Sequence, residues 1–160
     1  MKKKNSYSKE YLQSAQEALA AMIDVAVYYL GYKAADFYDS FLKSNYPHKF
    51  ENGDPFTVWG KSGTEIAFDI AKKDIGEYRN HLSESGLKLH RSPEYWAGWS
   101  LAYYQWFSNK SFSEINKAAD INKIINLYNP YHEMDIRQFC DKMDSLAEKK
   151  IDNYTEQRLV

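Results

Sequence analysis

One cysteine, four valines, four prolines and seven glycines are the scarcities that say most about this 160-residue chain. A lone Cys140 cannot close an internal disulfide, so the fold has to rest on its core. With so few valines and turn residues, a many-stranded sheet is a poor candidate. Neither sign of charge is in excess: 21 Lys plus Arg stand against 22 Asp plus Glu, for a net charge of −1. That balance argues against a protein that wraps nucleic acid or lies on an anionic membrane. Long apolar runs are missing too. The longest, 18–23 and 25–30, are separated by Asp24 and fall well short of the roughly 20 residues a membrane span needs. Polar residues follow the opening MKKK where a signal peptide would carry its apolar segment, so the sequence predicts a cytoplasmic protein with a solvated lysine-rich start.

Motifs for chemistry are equally scarce, and the expectation is no cofactor, no metal and no catalytic residue. His132-Glu133 opens like a zinc-protease pair, but position 136 is Ile and the second histidine is lacking. Gly60-Lys61-Ser62 lacks the earlier glycine of a phosphate-binding loop, because position 55 is Pro. Cys140 falls on an apolar helical stripe, the usual place of a buried small hydrophobe rather than a nucleophile.

What is abundant is aromatic: 14 Tyr, 8 Phe and 4 Trp. They are set in helical periodicities. Leu12, Ala15, Leu19, Met22, Ile23, Ala26 and Leu30 recur at steps of three and four, predicting a first helix over 8–30 with Ser8 as N-cap and Gly31 past its end. Ala34, Phe37, Tyr38, Phe41 and Leu42 predict a second over 33–44. Ser62-Gly-Thr-Glu65 and Ser111-Phe-Ser-Glu114 are capping boxes, and Ser92-Pro93-Glu94 combines a cap, a first-turn proline and an acid at the positive helix end. The helix opened by Ser62 is expected to reach about Ser83. Asp120 caps a short helix, and Asn129-Pro130 repeats the cap-plus-proline device before a last helix through Ile136, Phe139, Cys140, Met143, Leu146 and Ala147. The expected fold class is all-α: a single-domain bundle of about six helices spanning 1–160, with 1–7 and 153–160 frayed.

The predicted hub is the helix after Ser92, where seven aromatics lie between Tyr95 and Phe107. At about 100° per residue, Tyr95, Trp96, Trp99, Tyr103, Trp106 and Phe107 share one side, while Gly98 permits a close crossing. A helix apolar nearly all round is normally central, yet so many indole and phenol groups need polar partners, and some tips should reach the surface. The other concentration is 45–61, read as a long loop punctuated by Pro47, Gly53, Pro55 and Gly60 and carrying His48, Phe50, Phe56 and Trp59.

The run RSPEYWAGWSLAYYQW at 91–106, with SFSEI at 111–115 and His132-Glu133-Met134-Asp135, resembles a family of small uncharacterised bacterial proteins. The likeness covers most of the chain after Gly31, and residues 1–20 depart from it. It implies a place in toxin–antitoxin-like gene groups beside ADP-ribosyltransferase-like proteins, with no catalytic residue carried over. The leading expectation is therefore a non-enzymatic, antitoxin-like module that binds and neutralises a partner protein, a toxin or effector encoded by a neighbouring gene. Its candidate partner-binding residues are Trp59, Phe56, His48, Arg91, Glu94, Tyr95, Tyr104, His132 and Glu133. A small enzyme or ADP-ribosylation accessory using Arg91, Glu94 and His132 is the alternative. A DNA-binding regulator comes third, for want of a basic recognition helix.

Overall fold

Short polar side chains start the helices of this chain where their spacing predicts. In the computed structural model, which describes residues 4–78 and 92–158, Ser62 Oγ accepts from the Glu65 amide at 3.1 Å and Ser92 Oγ from the Tyr95 amide at 2.9 Å. Ser111 Oγ does the same for Glu114 at 3.1 Å, and Asp120 Oδ1 for Lys123 at 2.8 Å. These caps open α5 (Gly63–Ala71), α6 (Pro93–Ser108), α7 (Phe112–Ala118) and α8 (Ile121–Asn126). Before them come α1 (Leu12–Tyr28), α2 (Ala34–Lys43), α3 (Tyr46–Glu51) and α4 (Pro55–Val58); after them come α9 (Tyr128–Tyr131) and α10 (Ile136–Arg158). All are helices, with no strand among the described residues, so the chain is an all-α domain. The helices outnumber the six expected because short one- and two-turn pieces fill the links.

Ser92 ties the cap to the core as well. Its hydroxyl donates to Asp24 Oδ1 at 2.5 Å, joining the start of α6 to α1. Ser92→Ala removes both bonds and is expected to cost about 2 kcal/mol, read as a lower urea midpoint at unchanged slope.

Several boundaries differ from expectation, each for a local reason. The first helix begins with a 3-10 turn, Lys9–Tyr11, and Ser8 takes the extended cap conformation without a side-chain cap bond. Ser6 and Tyr7, just before it, bond to α6: the Ser6 amide donates to the Trp106 carbonyl at 3.0 Å, and Trp106 Nε1 donates to the Tyr7 carbonyl at 2.8 Å. The stretch 45–61 is not a loop. Pro47 and Pro55 each sit in the first turn of a short helix, where a missing N–H is not needed. Helix α5 stops at Ala71, because Lys72 turns left-handed (φ 56°), instead of running to Ser83, which lies outside the described residues. Asn129 leaves helical geometry (φ −96°, ψ 124°) inside α9, and it is Asp135 that serves α10, accepting from the Arg137 amide at 2.9 Å. Finally, α10 is helical as far as Arg158. Arg158 lies over the Tyr154 ring, 5.0 Å from its centroid, one turn away.

The centre of the bundle is a pair, α1 against α6. Small residues set their approach: Ala15, Ala20 and Ala26 on α1 and Ala97, Gly98 and Ala102 on α6 are all buried. A Cβ on Gly98 would lie 2.4 Å from the Leu19 carbonyl oxygen, so the expected close crossing is present. On another side of α1, Gly63 of α5 comes equally near, with a Cβ there 2.0 Å from the Ala18 carbonyl oxygen. Phe41, Phe50 and Phe112 meet edge to face around the ends of α2, α3 and α7, and Trp96 and Tyr104 both meet the Phe139 ring of α10. The hub helix thus buries its small face. Of its aromatic stripe, Tyr95, Trp96, Trp99 and Tyr103 are half-buried and Phe107 is exposed, while Trp106 is buried with its indole N–H on the Tyr7 carbonyl.

Candidate protein-binding groove

Helix α4 is a single turn whose orientation decides what it shows to solvent. Thr57 and Val58 are buried, with Thr57 Oγ1 donating to Asp54 Oδ2 at 2.9 Å at the turn's start. The remaining side chains then point outward: Phe56 is 84% exposed and Trp59 60%. Gly60 follows so tightly that a Cβ would sit 2.2 Å from the Phe56 carbonyl oxygen, which swings the chain directly into the Ser62 cap of α5. The Trp59 ring stands edge-on to Tyr11, with centroids 4.7 Å apart.

Facing it, Tyr95 projects from the first turn of α6. Between the two lies a groove of about 560 Å³ floored by Ala18 and Ala21 of α1 and by Gly63. The close approach of α5 to α1 at Gly63 makes this floor, so the packing of the core and the shape of the groove share one cause. Ser14, Glu17, Lys61, Ser62 and Glu65 form the polar rim. Lys61 is already engaged: its Nζ donates to the Tyr46 hydroxyl at 2.9 Å and lies 3.9 Å from the Asp69 carboxylate, while the Tyr46 hydroxyl donates a short bond to Asp69. That hydroxyl raises the Lys61 pKa, keeping it charged. Glu17 accepts from Gln13 Nε2 at 3.1 Å, and neither Glu17 nor Glu65 forms an ion pair among the described residues. A cleft of mixed polarity, with an alanine and glycine floor and an indole, a phenol and two carboxylates at its edge, is equipped to hold a side chain.

The other candidate residues fall elsewhere. Tyr104 is a correction: at 1% exposed it is a core residue, because the α6 face that meets α10 carries it inward, where its hydroxyl donates to Asp144 Oδ1 at 2.6 Å. His48 is exposed on α3 and pairs with Glu51 at 3.4 Å, away from the groove lining. Glu94 accepts from the Tyr28 hydroxyl at 2.8 Å, and that bond pushes the phenol up to about 12. His132 stacks on Tyr128, with centroids 3.8 Å apart; its Nδ1 lies 2.7 Å from the Tyr128 carbonyl, and its Nε2 lies 3.6 Å from Glu133. Arg91 lies outside the described residues. The sequence reading missed the exposed Tyr28, Met134, Ile151 and Tyr154. Of these, the last two were visible as a continuation of the α10 stripe by steps of three and four.

Cys140 is buried, and burial pushes its thiol up to about 12. Folding therefore favours the neutral thiol below the ordinary cysteine pKa of about 8.5, and that support is lost as pH climbs toward the folded value. In the folded chain at mildly alkaline pH, alkylation of Cys140 is expected to run roughly a thousandfold slower than in urea-unfolded chain, as followed by mass spectrometry. Fast labelling without denaturant would place this thiol at the surface.

Among the described residues no group of three or more His, Cys, Asp or Glu side chains is arranged to hold a metal ion, and no helix is long and apolar enough to cross a membrane. No protein-family model, no curated protein and no solved structure matches the chain.

Proposed function

We propose that this chain is a non-enzymatic protein-binding module that engages and neutralises a partner protein, in the manner of an antitoxin, through the groove between Trp59 and Tyr95. The observation that carries this reading is the exposure of Trp59 and Phe56 together on one turn, with Trp59 lining a cleft of mixed polarity. Large aromatic side chains left in water at one place are the usual anchors of an interface, and Trp and Tyr dominate binding hot spots. A cytoplasmic setting, where a lone reduced cysteine is at home, goes with this reading. A small enzyme using Arg91, Glu94 and His132 has less support, since Glu94 and His132 are each held by a neighbouring group.

The test compares wild-type chain with Trp59→Ala and with the triple replacement of Phe56, Trp59 and Tyr95 by alanine, each tagged and expressed in the cells the sequence comes from. A protein recovered stoichiometrically with wild type and lost with both variants supports the groove. Recovery of the same protein with the triple variant, folded by circular dichroism, rejects it.

A further inference from the structure

The groove between Trp59 and Tyr95 carries an imbalance of charge that the packing of its helices imposes. Helix α1 lends it Ser14, Glu17, Ala18 and Ala21, which share one face at steps of three and four, and the start of α5 lends it Ser62, Gly63 and Glu65. The two helices come nearest where a Cβ on Gly63 would lie 2.0 Å from the Ala18 carbonyl oxygen. Glu17 adjoins that point on one helix and Glu65 on the other, so the crossing that floors the groove also sets a carboxylate from each helix along it.

Both carboxylates have acceptor capacity to spare. Among the described residues the Glu65 carboxylate takes no hydrogen bond and no ion pair, and Glu17 accepts from the neutral Gln13 amide at 3.1 Å. Lys61, the cation of the lining, is turned to Tyr46 and Asp69, neither of which lines the groove, and it reaches Glu65 only through space. Beside these acids stands Trp59, 60% exposed. An aromatic face next to carboxylates, above a floor of alanine and glycine, complements a cation on an apolar stem. Arginine fits it better than lysine. A guanidinium stacks flat on an indole and has five N–H donors, enough for two separate carboxylates, whereas an ammonium is a compact, strongly hydrated point charge.

We propose, resting on the reading that this groove binds a partner protein, that what the partner places in it is an arginine side chain. Its methylenes lie over Ala18, Ala21 and Gly63, its guanidinium lies on Trp59, and Glu17 and Glu65 accept its N–H donors. An acidic or purely apolar segment in the same place would cover both carboxylates and leave them unpaired.

The test uses the full chain and a probe of known chemistry, the acetylated and amidated tripeptide Gly-Arg-Gly. Binding is followed by heteronuclear NMR at the indole N–H of Trp59, a signal identified by its loss in Trp59→Phe. The peptide should shift that signal saturably at millimolar concentration, and added salt should weaken the binding. The same peptide with glutamate, or with citrulline, which keeps the shape of arginine without its charge, should bind at least about tenfold more weakly. Glu17→Gln with Glu65→Gln keeps helix propensity and the capping pattern, so it should leave the circular dichroism unchanged and weaken the arginine peptide by a similar factor. No saturable shift with the arginine peptide, equal binding of the citrulline or glutamate peptide, or an arginine peptide indifferent to the Glu17 and Glu65 changes would each overturn the proposal. Co-purification separates it from the reading on which it rests. A partner lost with Trp59→Ala but kept by the Glu17 and Glu65 double variant leaves the groove as the interface and removes the arginine. A partner kept by the triple alanine variant removes the groove itself as the interface, and the arginine with it.

Discussion

Gly98→Ala is expected to destabilise the chain by about 3 kcal/mol or more, a large part of what holds a domain of this size together. The added methyl group would stand 2.4 Å from the Leu19 carbonyl oxygen and 2.8 Å from the Ala20 Cα, and both are backbone atoms of α1. Backbone inside a helix cannot step aside as a side chain can. The crossing itself has to open, and with it the buried layer of Ala15, Ala20, Ala97, Leu101 and Ala102. Gly63→Ala presses on α1 from α5 at 2.0 Å from the Ala18 carbonyl oxygen and should behave alike. Gly31→Ala is the control. It stands at φ 77° with nothing within 4 Å of the new methyl, so only its left-handed backbone is penalised, by about 1 kcal/mol. Urea denaturation of the three variants reads the order directly. If Gly98→Ala costs no more than Gly31→Ala, α1 and α6 do not cross this closely.

Trp59→Ala has the opposite profile, a large effect on binding with little on folding. The indole is mostly in solvent and stands edge-on to the Tyr11 ring, so stability should fall by no more than about 1 kcal/mol. Affinity for the captured partner should fall by about 2 kcal/mol, roughly thirtyfold, because a central tryptophan anchor leaves an unfilled pocket when truncated. Titration calorimetry with purified partner separates the two quantities. Undiminished affinity in this variant would move the interface away from α4 and the groove. Tyr104→Phe makes a useful contrast, since it removes the buried bond to Asp144 and the one Lys110 donates, and none of these residues lines the Trp59 groove.

How far the fold could be read from the residues depended on how far each determinant reached. The caps of α5 to α8 act over three residues, so Ser62, Ser92, Ser111 and Asp120 were legible as spacings. The apolar stripes of α1, α2 and α10 were legible for the same reason, and so was a close crossing at Gly98. Reading 45–61 as a loop followed from treating proline as punctuation, whereas Pro47 and Pro55 start helices. Position alone gave no sign of the bonds that join Ser6 and Tyr7 to Trp106, because their partner lies 99 residues further along the chain from Tyr7.

The candidate site was legible only in part. Phe50 and Trp59 occupy the same aromatic stretch, yet one is buried and the other exposed, and this depends on how α3 and α4 lean on the core. Tyr103 and Tyr104 are adjacent and differ as much: one edges the half-buried stripe, while the other is sealed against α10.

Sequence alone determined that this chain is helical, where most helices begin, and that its aromatics concentrate in α6 and around Trp59, because propensity, capping and periodicity are carried by neighbouring residues. Tertiary structure alone decided which face of α6 turned inward. A helix apolar nearly all round has no preferred direction of its own, and the choice fell to the small residues that let α1 approach, leaving Tyr95, Trp96, Trp99 and Tyr103 half-buried at its edge.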